Sequence, residues 1–499
     1  MPIDNSEFVR ALIKRFHLSI FPNHAYDGST IRVQIRNSFS SEIAQHLSEQ
    51  PGHGDASSVY RWRLDIVEAD SGTDVVRSLT LPIVSGESQT EIDSASLSEG
   101  LYRVRANIVF PDGSAQRIWH EPEPPRTQPY SAERFLAIHR GPIPTMETRI
   151  VHSPNPLTRL CLQGNPGRRQ FPGDDAMNCH ARSVWDLQLY QGRIYVGVGD
   201  GYNRQGPIDV WSYDPESDPV IFEKEITVDE EEVHMFRDFD GRLLVPGNNA
   251  TESWEFGNLY IKEQNAWRKL RTIPNGIHVL GIVIHRGRLF VTTGTELGPA
   301  LYESEDDGET WCRYGIEEKD GRWDRRFYEI GALGDDLVLT VGHEYVYRFR
   351  NEELTRIIMP VLPGLMSDRT LPFRVTAFSG GLLYAASEWL QSPIPGPLYF
   401  VRDLEQGAMV VKGFEDRSVR DILARDGTCY VLTSTRQDTD YFSEVYSTQD
   451  LVTWSRIAQF RSDAIAYSLE RSGELYFIGM ATLRDAAIQD SGSIYLLDR

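Results

Sequence analysis

The chain has 499 residues, of which 40% are hydrophobic and 25% charged, and its formal net charge is −21. That length implies two to four domains, or one large repeat domain with a smaller companion, and the composition implies a packed core rather than disorder. A field this negative repels a phosphate backbone and an anionic lipid surface, which argues against general nucleic-acid binding and against membrane binding.

Residues 1–21 contain no long apolar segment, and no run of 18 apolar residues occurs anywhere. The expectation is a soluble, cytoplasmic chain with no membrane insertion, export by another route being left open. Cys161, Cys179, Cys312 and Cys429 form no CxxC pair. They are expected as free, mostly buried thiols, with Cys161 and Cys179 close enough in sequence for a bridge. No cofactor and no metal site is indicated, and the sequon at Asn249 carries little weight.

In chain order, the first ten residues have the pattern of a short helix. Residues 16–120 then alternate in short runs such as "STIRVQIRN", "YRWRLDIVEA" and "GLYRVRANIVF", separated by turn residues. This predicts an antiparallel β-sandwich over 1–120. The stretch "LSEGLYRVRA" (97–106) resembles the strand start of immunoglobulin-like and fibronectin-III-like domains. The resemblance gives Tyr102 the part of the tyrosine whose hydroxyl pins a corner. Residues 121–178 are Pro-rich ("HEPEPPRTQP", "SPNPLTR") and read as a linker.

From 179 to 499 a unit repeats: "LYQGRIYVGVG", "DFDGRLLVPG", "IHRGRLFVTTG", "ALGDDLVLTVG", "FSGGLLYAAS", "ARDGTCYVLTS", "ERSGELYFIG". Aligned on the turn, the anchors are Gly192, Gly241, Gly287, Asp335, Gly381, Gly427 and Gly473, at intervals of 49, 46, 48, 46, 46 and 46 residues. Seven near-equal units of strand and turn predict a seven-bladed β-propeller, because one four-stranded blade cannot bury both faces unless neighbours flank it. The fold class is therefore all-β, a sandwich followed by a propeller. The last unit lacks its fourth strand, so ring closure needs a donor. The best candidate is "TRLCLQ" (158–163), in the segment before the first blade.

The stretch "SEDDGETW" (304–311) falls between the third and fourth strands of the third unit. Ser304-x-Asp306-x-Gly308-x-Thr310-Trp311 resembles the Asp-box (BNR repeat) of sialidase-like propellers. "STQDLVTW" (447–454) is a degenerate copy with Gln449 and Leu451 at the Asp and Gly positions. The resemblance implies a turn-forming role on the side away from the active face.

The loops joining second to third strands are long and varied, with aromatic residues Tyr202, Trp254, Trp389 and Tyr441. They mark the candidate face. Seven residues before each anchor, at the start of the innermost strand, stand Trp185, His234, Leu280, Tyr328, Arg374, Arg420 and Ala466. With His278 and Arg182 nearby, these predict a cationic funnel near the axis for an anionic group. The expected ligand-binding set is Arg374, Arg420, His234, His278, Tyr328, Trp185 and Arg182, with Tyr328, His234 and His278 the catalytic candidates. The bland alternative is that the arginines pair with acidic neighbours such as Asp421 and Glu232. Carboxylates at the same rim are Asp200, Glu252, Glu296, Glu344 and Glu388.

A sialidase-type reaction would need a tyrosine nucleophile beside an arginine cluster, which Tyr328, Arg374 and Arg420 superficially supply. Against it stand seven units instead of six, "RTIP" (271–274) at the wrong place, and a Glu329 that points away from Tyr328 by strand alternation. A lyase using His234, His278, Tyr328 and Arg374 is chemically reasonable. Metal binding by His180, His234 and His278 is weaker, and the acidic run at 229–234 reads as a solvated loop. The leading reading is a recognition propeller for a glycan or protein partner. A carbohydrate-active enzyme (glycoside hydrolase or polysaccharide lyase) is the alternative, and an assembly scaffold the second. No oligomeric state is indicated.

Overall fold

The computed structural model describes residues 16–21, 24–25, 30–37, 61–68, 75–83, 86–110, 114–117, 119–120, 130–131, 133–138, 144–276, 278–295, 298–316, 326–341, 345–358, 370–388 and 396–499. The expected N-terminal helix, Glu296, Glu344 and Trp389 lie outside them, as does the side chain of Glu388. The chain divides into two compact units. One comprises residues 1–143, 318–322 and 358–369, and the other 144–317, 323–357 and 370–499.

In the first unit, alternation builds two sheets over one core. Phe16–Phe21, Thr30–Asn37 and Gly86–Asp93 form the first. His24–Ala25, Glu133–Ile138, Gly100–Val109, Arg61–Glu68 and Val75–Pro82 lie side by side in the second. Ile31, Val33 and Ile35 from one sheet and Trp62, Leu64, Ile66, Val104 and Ile108 from the other share that core. The Tyr102 hydroxyl donates to the Ser98 carbonyl at 2.9 Å, tying the strand to the turn before it. Strand Glu133–Ile138 corrects the linker reading of 121–178. Leu136 and Ile138 are buried in this core, and the strand pairs antiparallel with Gly100–Val109.

The second unit holds seven sheets among the described residues. Their innermost strands are Asp186–Tyr190, Arg237–Phe239, His278–His285, Ile330–Leu333, Thr370–Phe378, Val419–Arg425 and Ile465–Ser472. Each innermost strand adjoins that of the next sheet, and the last adjoins the first, so the blades (numbered in chain order) form a closed ring. The seventh sheet takes Arg159–Gly164 as its outer strand, antiparallel to Ile494–Asp498, with Leu160 opposite Leu497 and Leu162 opposite Tyr495. The segment does more than the expected single closure. Thr145–Met146 pairs in parallel with Met409–Val411, and Arg149–Leu157 in parallel with Thr453–Ser462. Residues 144–164 thus edge blades five, six and seven in succession. All four thiols are free, Cys179 and Cys429 being buried and Cys312 exposed. No described helix is long and apolar enough to cross a membrane.

At the 304–311 turn, the Ser304 hydroxyl accepts from the N–H groups of Asp306 (3.3 Å) and Gly308 (2.8 Å). The Asp306 carboxylate accepts from the Thr310 N–H (2.8 Å) and hydroxyl (2.6 Å). These bonds, those from Thr310 first, lower the Asp306 pKa to about 2. Gly308 adopts φ +91°, and a Cβ there would meet Leu270 of blade two at 2.9 Å. Trp311 Nε1 donates to Thr272 Oγ1, also of blade two, at 3.0 Å, so the turn joins neighbouring blades. In the second copy the expected alignment is off by one. Thr448 takes the part of Ser304, since its hydroxyl accepts from the Leu451 N–H at 2.9 Å. Asp450, not Gln449, accepts from the N–H groups of Val452 and Thr453, at 2.9 and 2.8 Å. This turn is one residue shorter, and Leu451 itself takes the left-handed conformation, φ +63°.

Two outcomes are expected. A chain starting at Pro144 should keep a cooperative β-sheet unfolding transition by circular dichroism. One starting at Asn165 should aggregate in size-exclusion chromatography, because strand Ile494–Asp498 then offers an open edge. Ser304→Ala should lower unfolding free energy in a urea titration by about 1 kcal/mol, the net worth of the bonds it organises.

Candidate functional site

Four innermost strands carry a β-bulge at the position singled out from sequence. Leu280, Arg420 and Tyr467 are extra residues in blades three, six and seven, and Arg374 with Val375 interrupts blade five. A bulge re-aims a side chain out of the alternating pattern. In blade seven the residue is Tyr467, not Ala466. Ser472 pairs with Leu475 across Gly473-Glu474, so the turn falls one residue later than its glycine indicates.

Arg374 is 4% exposed and adopts φ +55°. Its Nη1 donates to Asp186 Oδ1 at 3.1 Å, its Nε lies 3.3 Å from Asp421 Oδ1, and its Nη2 bonds the Trp185 carbonyl. Burial opposes its charge, but Asp421 and Asp186 more than offset that and raise its pKa. Of the two readings made from sequence, Arg374 follows the pairing one. Its guanidinium is occupied by partners from blades one and six.

The innermost strands are laced to one another. Asp186 of blade one accepts from the Phe236 N–H of blade two at 2.7 Å, and His234 Nε2 meets the Leu280 carbonyl of blade three at 2.9 Å. Glu329 of blade four accepts from the Arg374 N–H of blade five at 3.3 Å. Thr376 Oγ1 of blade five donates to the Ile422 carbonyl of blade six at 3.1 Å. Asp421 of blade six accepts from the Leu469 N–H of blade seven at 2.7 Å, and Glu470 of blade seven from the Leu189 N–H of blade one at 2.6 Å.

Several expected ligand residues belong to this lacing or to the seam of the ring. His234 is one, and burial lowers its pKa to about 4. Arg182 is fully buried, and its donors go to the carbonyls of Phe171, Gly173, Gln489 and Ser491, which bolt blade seven to the segment before blade one. Trp185 gives its Nε1 proton to the Gly199 carbonyl at 2.8 Å and stands edge-on to Tyr467. His278 bonds the Asn248 carbonyl through Nδ1 at 2.7 Å, and burial, then Arg326, lowers its pKa to about 3. Both His234 and His278 are therefore neutral, and the funnel is less cationic than expected.

Arg420 differs. It is 3% exposed, yet its one hydrogen bond among the described residues is a long 3.4 Å contact from Nε to the Ser434 carbonyl. No described carboxylate pairs with it, and burial lowers its pKa while Tyr467 and Tyr441 oppose the shift. Tyr467 and Tyr441 are its aromatic neighbours; both belong to a cluster with Trp185, Ile465 and Phe373, over whose Phe373 and Tyr467 rings the Arg374 guanidinium lies at 5.1 and 5.6 Å. Tyr328 lies two residues before the innermost strand of blade four and is half-buried, with its N–H on the Thr340 carbonyl at 2.8 Å.

The acidic run is not the solvated loop expected. Glu230 is fully buried, accepting from Asn258 Nδ2 (2.7 Å), the Tyr260 hydroxyl (3.2 Å) and the Asn249 N–H (3.0 Å). Glu232 accepts from Asn248 Nδ2 at 3.0 Å and the Gly201 N–H at 3.3 Å. Burial raises the pKa of Glu230, Glu232 and Glu470 from 4.5 to about 7.

These shifts give stability a defined pH profile. Between pH 4.5 and 7 the three carboxyls hold protons in the folded state that the unfolded chain has released, so stability falls as pH rises through that window. His234 and His278 have depressed pKa values, so their contribution is present above 6.5 and lost as pH falls toward 4 and 3. The two effects oppose each other between pH 4.5 and 6.5, where Tm should be highest. Scanning calorimetry should show Tm declining on both sides, and Glu470→Gln should flatten the alkaline limb.

No protein-family model matches the chain, and no curated protein matches it. Among solved structures it is similar to the WD40 β-propeller domain of Doa1 at 11% identity and TM-score 0.43, covering 69% of this chain and 97% of that one. It is similar to YCF48 bound to D1 peptide at 10% identity and TM-score 0.41, covering 72% and 98%. It is also similar to a polysaccharide lyase, PL25 ulvan lyase bound to a GlcA–Rha3S saccharide, at 13% identity and TM-score 0.38, covering 69% and 95%. Those proteins are β-propellers or carry the lyase name; the architecture of this chain rests on its own strand pairing.

Proposed function

We propose that the protein is a recognition propeller that binds an anionic group of a glycan or protein partner on its loop-rich face, with Arg420 as the anchor. The observation that carries this reading is the contrast between two buried arginines. Arg374 has two carboxylates within ion-pair distance, whereas Arg420 has none among the described residues and has the tyrosines Tyr467 and Tyr441 as its neighbours. A desolvated cation without a counter-ion is costly, and a ligand carboxylate, sulfate or phosphate would relieve that cost. The first unit would then be an immunoglobulin-like accessory domain, for which the Tyr102–Ser98 bond speaks, and the 304–311 turn a structural Asp-box.

The enzymatic alternative draws on Glu232, a carboxyl that titrates near neutrality on the same face. It lacks a second described catalytic group within hydrogen-bond reach, since Glu232 bonds only Asn248 and Gly201 among the described residues. Binding is therefore the better supported reading.

Two substitutions test it. Arg374→Met strands Asp186 and Asp421 and should cost about 3–5 kcal/mol of stability in chemical denaturation. Arg420→Met should leave stability unchanged or raise it, while abolishing the thermal protection that wild type gains from added hexuronate or sulfate. An Arg420→Met protein as unstable as Arg374→Met would show a structural cation and sink the proposal.

A further inference from the structure

We propose that the ligand of this face is an acidic oligosaccharide, one ring of which lies beside the Arg420 anchor on a second subsite made by Tyr202, Trp254, His278 and Arg326. The inference rests on the Arg420 reading for the first anionic group and adds a site that reading does not contain.

The subsite joins residues from the first four blades. Tyr202 and Trp254 sit on the long loops of blades one and two and are 49% and 43% exposed, among the few large aromatic side chains left open to solvent among the described residues. Arg484 lies 4.8 Å above the Tyr202 ring and props one side of it. The Trp254 ring is 6.3 Å from His278. Flat, half-open rings of this kind stack on the apolar C–H face of a pyranose.

The polar groups beside them divide into an acceptor and a donor. His278 must donate its Nδ1 proton to the Asn248 carbonyl, which fixes the neutral tautomer and leaves Nε2 as an acceptor for a sugar hydroxyl. Arg326 supplies the donor. It has no hydrogen bond or ion pair among the described residues, and its Nε is buried without a partner. Its stem lies along Gly294, where a Cβ would meet Arg326 Cγ at 2.6 Å, so the glycine makes the seat. Arg326 is the charged neighbour of both His278 and Tyr202, lowering the pKa of the first and opposing a rise at the second. That rise comes first from the dense surroundings of the phenol, although the residue as a whole is half-open, and then from Glu232 and Tyr328.

Electrostatic interactions link the two subsites. Glu232 is a neighbour of Tyr202 on one side and of Tyr467 on the other, and Tyr467 is a neighbour of Arg420. A neutral acceptor, an unpaired guanidinium and two open rings fit a hydroxylated ring that bears an acid. An acidic peptide would use the arginines but has no need of the acceptor and the platforms.

The test is calorimetric titration of the full chain with galacturonate, tetragalacturonate, a heparin-derived tetrasaccharide, cellotetraose and tetraglutamate. Wild type, Arg420→Met, Arg326→Met and Trp254→Ala are compared, with Tm checked for each. Wild type should bind an acidic tetrasaccharide at least about tenfold more tightly than the monosaccharide, as expected when a second contact becomes intramolecular. Arg326→Met and Trp254→Ala should each reduce the tetrasaccharide to monosaccharide affinity, and Arg420→Met should abolish both. Preference between the uronate and the heparin fragment identifies carboxylate or sulfate as the anion. A chain-length gain that survives both Arg326→Met and Trp254→Ala, or no gain for either acidic tetrasaccharide, overturns the second subsite. Tetraglutamate binding as tightly as the acidic sugars overturns the saccharide class while leaving Arg420 as an anion anchor, and cellotetraose doing so overturns the need for an acidic group. Binding unaffected by Arg420→Met overturns the anchor as well.

Discussion

The ring depends on carboxylates that reach from one innermost strand to the backbone of the next. Asp186, Glu329, Asp421 and Glu470 each accept an N–H from the following blade. Without them, those inter-blade N–H groups would be buried and unsatisfied at about 1–3 kcal/mol each. Acidic side chains are costly to bury, and their raised pKa values at Asp186, Glu329 and Glu470 record that cost. Arg374 is the counterweight. Placed by a bulge between Asp186 and Asp421, it neutralises two of the lacing carboxylates at once, and Arg425 does the same for Glu470. Three of the four lacing carboxylates thus have an arginine within ion-pair distance before any ligand is considered.

That balance is what makes Arg420 conspicuous. It occupies the bulge of the next blade, is as buried as Arg374, and has none of its compensation among the described residues. Asp186, Asp421 and Glu470 already have arginine partners, so they give the fold no reason to keep one more cation. Replacing an uncompensated buried charge by an apolar side chain is neutral or stabilising as a rule, so a residue that survives there is better explained by what it binds than by what it holds together.

Much of the architecture was legible because it is written in periodicity. The 46–49 residue spacing gave the repeat, the missing strand of the last unit pointed to a donor, and residues 159–164 supply it. What misled was local offset. The two-residue strand Thr145–Met146 and the Pro-interrupted Arg149–Leu157 do not stand out from a Pro-rich stretch, yet each adds a fifth strand to a blade. A one-residue shift in the last turn hid Tyr467 behind Ala466, and another hid Asp450 behind Gln449. Charge runs read as solvent-facing, so the buried Glu230 and the half-buried Glu232 were missed; only their place between two blades gives them away. Arg326 had no signal at all, because its role comes from Gly294 and His278, which meet it only in three dimensions.

The bulges explain how one ring can carry both stability and recognition. Each inserts an extra residue into the innermost strand and turns a side chain out of the alternating pattern. The backbone device is repeated, but its occupants differ: Leu280 is apolar, Arg374 locks the ion network, Arg420 is unpaired, and Tyr467 walls it with an aromatic ring. Asp186 and Glu329 belong to blades without such a bulge, and Asp421 and Glu470 follow the bulge on their strands, so a change at a bulge can alter the chemistry of the face without unlacing the ring. Arg374 is the exception, because its bulge position also serves the lacing, and that is why the two arginines, equally buried, do opposite work.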